Sequence, residues 1–310
     1  MARHKRGEKI DGWIILDKPQ GITSTSAVNR VRHAFNAQKA GHGGTLDPLA
    51  TGILPIAFGA ATKTVPYIMD STKLYHFTLR FGEARDTDDA EGIVTATSDH
   101  RPDDAAIMAG LVGFQGLIMQ VPPVYSAIKV AGERAYDLAR SGAAPVLAAR
   151  PAQIDRFTLI DRPDADHAIF EVQSGKGVYM RALARDLALA CGSVGHIAAL
   201  RRKRVGPFTE DMAVSLDMVT NPEHMPATFL DLVRPIETAL DDIPALALTE
   251  PEAAALSNGQ PISLVQLMGR IPETTSPSGL VRVLAGQRVL AIARLEDGWL
   301  KSERLLQHLS

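Results

Sequence analysis

The sequence predicts an α+β protein: a mixed, largely antiparallel central sheet with flanking helices and loops, then a small β-rich unit at the C-terminus. Three observations carry this. Strand-like and helix-like segments alternate without the regular strand–helix–strand spacing of a doubly wound parallel sheet. From about Ile243 the texture changes to polar, Pro-interrupted stretches that lead into a hairpin. The 310 residues accommodate one large domain plus a small one, expected at 1–242 and 243–310, and 45% hydrophobic residues supply a core without staples.

Trp13 to Leu16 reads as a buried strand stopped by Pro19-Gln20-Gly21. Thr23-Ser24 offer N-caps for a helix to about Phe35, with Ala27, Val28, Val31, Ala34 and Phe35 on one face and Arg30 and Arg32 turned away. Leu74 to Phe81 and Ile93 to Thr97 read as strands, separated by the acidic stretch 83–91, and a helix is expected over 103–113. Val121-Pro122-Pro123 opens an excursion from the main body, 122–150, read as a mobile flap with a helix near Glu133 to Arg140. Phe170-Glu171-Val172 alternates as a strand, a glycine turn follows, and Val178 to Ala190 is a periodic helix. Leu200 to Val205 is a strand with a basic side, and Val281 to Leu284, Arg288 to Leu295 and Gly298 to Lys301 form the terminal β unit.

Net charge is −2 but unevenly spread: +5 over 1–40, −6 over 41–173, +6 over 174–207 and −7 over 208–310. Two basic segments converging on one face would offer a polyanion a landing surface; the plainer alternative is two solvated faces that never meet. The single cysteine, Cys191, excludes a disulfide framework and cysteine-based metal sites. No apolar run approaches the roughly 18 residues of a membrane span, and the apolar stretch after the basic Arg3-His4-Lys5-Arg6 start is too short for a secretory signal, so a cytoplasmic protein is expected.

Residues 39–52 hold four glycines and a proline, too many for a regular helix or central strand, yet Leu46, Leu49, Ile53 and Leu54 call for burial. An irregular loop pinned on a core is a shape that active sites use. Within it Asp47 has no helix to cap. It is either an Asx-turn former before Pro48 or a reactive carboxylate beside His42, Thr45 and Thr51. The loop lacks the Gly-Lys-Ser/Thr ending of a nucleotide-binding loop. Arg181, two residues after Tyr179 at a helix start, can pair with a loop carboxylate; alone it would be a surface arginine. Tyr75 opens a strand, where aromatic residues usually serve the core, but it can instead stack on a base. The run Asp86-Thr87-Asp88-Asp89 lacks calcium-loop spacing and reads as a solvated loop.

The run Gly41-His42-Gly43-Gly44-Thr45-Leu46-Asp47-Pro48-Leu49-Ala50-Thr51-Gly52 closely resembles the tRNA pseudouridine-55 synthase family. The resemblance continues through Asp17-Lys18-Pro19-Gln20-Gly21, Ala61-Thr62-Lys63, Tyr75, Asp86-Thr87-Asp88, Val121 to Ala127, Gly177-Val178-Tyr179-Met180-Arg181 and Leu200-Arg201-Arg202, covering most of residues 10–210. The family's Cys-Ser-Lys-Gly-Thr-Tyr-Ile-Arg is replaced by Gln173-Ser174-Gly175-Lys176-Gly177-Val178-Tyr179-Met180-Arg181, which keeps the tyrosine and arginine. The resemblance implies a pseudouridine synthase fold with a PUA-like C-terminal unit. It also implies isomerisation of uridine 55 in the T-loop of tRNA, after base flipping, by an aspartate nucleophile. Asp47 would be that nucleophile, Arg181 its ion-pair partner and Tyr75 the ring on the uracil, with His42, Lys63, Tyr179, Leu200 and Arg202 as substrate contacts. A T-arm stem-loop is the implied partner of a monomeric enzyme, and no cofactor or metal is implied. Two rivals stay open: an RNA-binding or RNA-folding protein without catalysis, and a carboxylate-dependent RNA N-glycosidase.

Overall fold

The computed structural model describes residues 7–126, 128–130, 132–141, 145–221, 223, 229–275 and 279–306. The basic start at Arg3 to Arg6 and Ala127 of the proposed flap lie outside these residues. The expected mixed sheet is present. In chain order its first part comprises β1 (Gly12–Lys18), helix α1 (Ser24–Ala34), β2 (Ala40–His42), β3 (Thr51–Phe58), α2 (Val65–Asp70) and β4 (Lys73–Phe81). A small ribbon β5 (Glu83–Arg85) and β6 (Val94–Thr97), α3 (Asp104–Leu111) and β7 (Gly116–Gln120) follow. Beyond a second ribbon, β8 (Lys129–Val130) and β9 (Glu133–Arg134), come α4 (Ala135–Arg140), β10 (Arg150–Asp161), β11 (His167–Ser174), α5 (Met180–Ala190), β12 (Gly195–Val205), β13 (Phe208–Thr209), β14 (Val214–Ser215) and α6 (Leu216–Thr220). The strand order is β14-β1-β3-β12-β4-β11-β10-β7, with β2 on β3 and β13 on β12. Within this sheet only β1–β14 and β3–β12 pair in parallel.

Local chemistry sets several boundaries. Thr23 caps α1 by accepting the Ser26 N–H at 3.1 Å. Helix α5 starts two residues later than its periodicity suggests, with Tyr179 extended at the cap position. Strand β12 begins at Gly195, where a Cβ would stand 2.8 Å from the Arg80 carbonyl of β4, so glycine suits the close approach of the two strands.

The C-terminal sheet is separate: β15 (Ala245–Leu248), α7 (Glu250–Ser257), β16 (Ile262–Ser263), β17 (Leu280–Ala285), β18 (Arg288–Glu296) and β19 (Trp299–Leu305), in the order β15-β17-β18-β19-β16. It does not stand apart from the larger sheet. Trp13, Ile15 and Phe208 share a buried cluster with Val289, Ile292 and Leu306, and the Trp13 and Phe208 rings lie 5.3 Å apart. Among the described residues no helix is long and apolar enough to cross a membrane.

Candidate active site

The site is built where β12 runs between β3 and β4. Register places Arg202 beside both Gly52 of β3 and Tyr75 of β4. Gly52 has φ +97°, and a Cβ there would stand 2.2 Å from the Arg202 carbonyl, so only glycine lets the strands approach. The loop entering β3 is pinned from three directions. Arg202, 2% exposed, donates to the carbonyls of Ile53 at 2.8 Å, Gly44 at 3.0 Å and Thr45 at 3.3 Å. The Ser24 hydroxyl accepts the Leu46 N–H at 2.8 Å and donates to the Leu46 carbonyl at 3.0 Å. Buried Lys18 donates to the carbonyls of Ile22 at 2.8 Å, Pro19 at 3.0 Å and Pro48 at 3.3 Å. Leu46, Leu49 and Ala50 anchor the loop in the core, and the Asp47 side chain is left facing a cavity.

Asp47 Oδ2 accepts the Arg181 Nε–H at 2.9 Å. The turn hydrogen bond here runs from Ala50 N–H to the Asp47 backbone carbonyl, so the carboxylate itself is not spent on forming the turn. Its side chain is 37% exposed, against 6% for that of Arg181. Arg181 is fixed from every side: Nη1 donates to the Thr87 carbonyl at 2.8 Å, Nη2 to the Tyr125 carbonyl at 2.9 Å, and buried Asp89 lies 3.7 Å from Nε. Asp89 in turn accepts from the Thr87 hydroxyl at 2.6 Å and Glu91 N–H at 3.1 Å. Tyr179 is held by buried Gln120, which accepts its N–H at 2.9 Å and donates to its carbonyl at 3.1 Å.

Asp47, Tyr75, Tyr179, Arg181, Leu200 and Arg202 line one cavity of about 660 Å³. That is room for a nucleotide rather than a long ligand. Burial pushes the Tyr179 phenol up, which favours the neutral hydroxyl. Burial lowers Lys18 to about 8, against the pull of Asp47 in the opposite direction.

The other expectations divide. His42 sits on β2 with a buried Nδ1 that has no partner, is not among the residues lining the cavity, and is kept neutral by burial and by Arg202. Lys63 is not among the residues lining the cavity: it donates to the Leu305 carbonyl at 2.8 Å, at the seam with the C-terminal sheet. Arg202 cannot grip a phosphate, because its guanidinium is buried and committed to three carbonyls. The basic run around it is also largely spent internally. Arg201 pairs with Asp17 and Glu210, and Lys203 with Glu210. The acidic loop is not solvated as expected: Asp88 and Asp89 are buried, since Arg181 and Arg185 arrive from α5 to neutralise them. Sequence reasoning does not single out Lys18, Ser24, Asp89 or Gln120 as site residues. For Lys18 two signals are available: it lies at the end of an apolar strand and within the Asp17-to-Gly21 motif.

Solved structures place the fold. The chain superposes on a chain of a crystallised Cbf5-Nop10-Gar1 complex with TM-score 0.74 and 24% identity, covering 96% of this chain and 85% of that one. It likewise superposes on a chain of an H/ACA RNP bound to a substrate RNA containing 2′-deoxyuridine, with TM-score 0.72 and 22% identity, over 99% and 92% of the two chains. The architecture is therefore the α+β fold that those two chains share. Residues 32–180 match the TruB family pseudouridylate synthase N terminal domain, 181–241 the tRNA pseudouridylate synthase B C-terminal domain, and 244–306 the Pseudouridine synthase II TruB C-terminal region. The tRNA pseudouridine synthase B of Gluconacetobacter diazotrophicus is 66% identical over 98% of this chain and 100% of its own; that of Rhodospirillum rubrum is 53% identical over 99% of each. The chain belongs to the TruB family of pseudouridine synthases.

Proposed function

We propose that this enzyme converts uridine 55 in the T-loop of tRNA to pseudouridine, with Asp47 as the nucleophile. The observation that carries the reading is the Asp47–Arg181 pair at the wall of a nucleotide-sized cavity, the carboxylate facing the cavity and the arginine buried behind it. The reaction breaks N1–C1′, turns the base and joins C5 to C1′; the C5 proton leaves and N1 gains one, so atoms and charge balance without an external reagent. Asp47 can attack C1′ or the uracil C6, and either adduct collapses with return of the carboxylate.

The target base is stacked in a folded RNA loop and must be flipped out, at a cost of a few kcal/mol. Stacking on Tyr75, about 1–3 kcal/mol, offsets much of this. The Tyr75 hydroxyl is the candidate acceptor of the C5 proton, with Tyr179 and Leu200 closing the cavity wall around the base. Loop shape and phosphates then select the RNA rather than a long sequence, and residues 243–310 act as the remote RNA-contacting unit of a cytoplasmic, monomeric enzyme. Incubation with a T-arm stem-loop followed by nucleoside analysis tests the reading. Pseudouridine at the expected position supports it, free uracil would favour the N-glycosidase, and unchanged uridine with retained binding would favour the non-catalytic binder.

A further inference from the structure

Helix α5 carries a second arginine one turn beyond Arg181, and the two side chains bridge the same pair of segments. Arg181 joins Thr87 to Tyr125 through their carbonyls. Arg185 joins Asp88 to Val121: Nη1 donates to Asp88 Oδ2 at 2.9 Å and Nη2 to the Val121 carbonyl at 2.8 Å, while Nε donates to Asp186 Oδ1 at 2.8 Å. A third tie runs from the Tyr125 hydroxyl to Asp86 Oδ2 at 3.3 Å. The acidic loop 86–89 and the segment 121–125 are thus laced together at both turns of one helix.

Asp88 is built for this place. It adopts φ +60°, its carbonyl accepts the Ile197 N–H of β12 at 3.1 Å, and the side chain is buried towards Arg185. This turn presents Thr87 to Arg181 on one side and Asp89 on the other. We propose that Arg185 and Asp88 are positioning residues for the isomerisation, a clamp that fixes loop 86–89 against Val121 and so holds Arg181 in register with Asp47. The proposal rests on the reading of Asp47 as nucleophile, and neither residue of the clamp lines the cavity.

The clamp has a signature that plain structural support lacks. Burial raises the Asp88 carboxyl to about 6, opposed by Arg185 and Arg181 and reinforced by Asp186. As pH falls through this range Asp88 gains a proton, its charge-assisted bond to Arg185 weakens, and the clamp slackens while the remaining ties of loop 86–89 persist. The single-turnover rate of the wild type is expected to fall through this range.

The test uses the full chain and a T-arm stem-loop, measuring single-turnover rate against pH together with RNA affinity. Asp88→Asn keeps the shape and tolerates positive φ, so the fold is preserved. It is expected to lower the rate about 10- to 100-fold at neutral pH, to leave affinity within about twofold, and to abolish the inflection near 6. Arg185→Lys keeps the charge but cannot span Asp88 and Val121 with one ammonium, and is expected to show a comparable loss. Wild-type rates and an unaltered inflection in Asp88→Asn, with pseudouridine formed normally, would overturn the clamp alone. Absence of pseudouridine from the wild-type reaction would overturn the underlying reading instead.

Discussion

Arg181 and Asp47 meet at 2.9 Å across 134 residues of chain, the arginine buried and the carboxylate exposed to the cavity. The asymmetry has a geometric consequence. A buried guanidinium held by two carbonyls and a second carboxylate cannot swing away, so the aspartate is oriented by a fixed partner while keeping a free edge.

Arg181→Met is therefore expected to do more than remove a charge beside Asp47. It strands Asp89, 3% exposed, and leaves two carbonyls without their donor. Removing one partner of a buried pair costs about 3–5 kcal/mol, so a large drop in unfolding midpoint should accompany loss of activity. Denaturant melts check this; a variant as stable as wild type would contradict the packing described.

Tyr75→Phe should retain stacking and RNA affinity while lacking the hydroxyl, and Tyr75→Ala should lose affinity as well. Parallel binding isotherms and turnover assays separate the two roles. Full activity in Tyr75→Phe would leave only stacking.

RNA affinity should fall steeply with salt, because phosphate contacts dominate it. The cations to test are exposed ones such as Arg30 and Arg32 on α1, since Arg202 is buried. Reversing Arg30 and Arg32 to Glu should flatten the slope of log affinity against log salt by about 1 for each cation that pairs with a phosphate in the wild type. Arg202→Met should leave the slope alone and lower turnover through the slackened loop. The opposite pattern would put the basic face elsewhere.

Lys18 supplies a pH test. Its pKa falls from 10.5 to about 8 on folding. Between these values the unfolded chain holds a proton that the folded chain has shed, so this group's contribution to stability rises with pH. Urea melts of wild type and Lys18→Met should show the difference between them shifting in favour of wild type from pH 8 towards 10. A shift the other way would mean that the charged form is the one the fold prefers.

Much of the site is readable from residue order. Thr23 caps its helix, the glycine-rich loop presents Asp47, and Tyr75 and Arg181 reach the same cavity. The rest depends on partners far away in the chain. Alternation in β12 separates Arg202 from Arg201 and Lys203 but does not say which side is packed; with β3 and β4 on either side, Arg202 points into the loop it must hold. The acidic run reads as solvated because its neutralising arginines lie about a hundred residues later, on α5. Lys63 matches a motif, but the strand before it carries the lysine to the seam with the terminal sheet instead of the cavity. The terminal sheet looks marginal by size; it is stabilised by sharing Val289, Ile292 and Leu306 with Trp13 and Phe208.

Asp47→Asn tests the central claim most directly. The change keeps size and shape, and asparagine forms the local turn equally well, so a merely structural aspartate would be replaced without loss. Release of the C5 hydrogen from tritiated uridine in a T-arm RNA should vanish, while the binding isotherm of the same variant stays close to wild type, since phosphate contacts and stacking on Tyr75 are untouched. Multiple-turnover release near the wild-type rate would contradict the assignment of Asp47 as nucleophile.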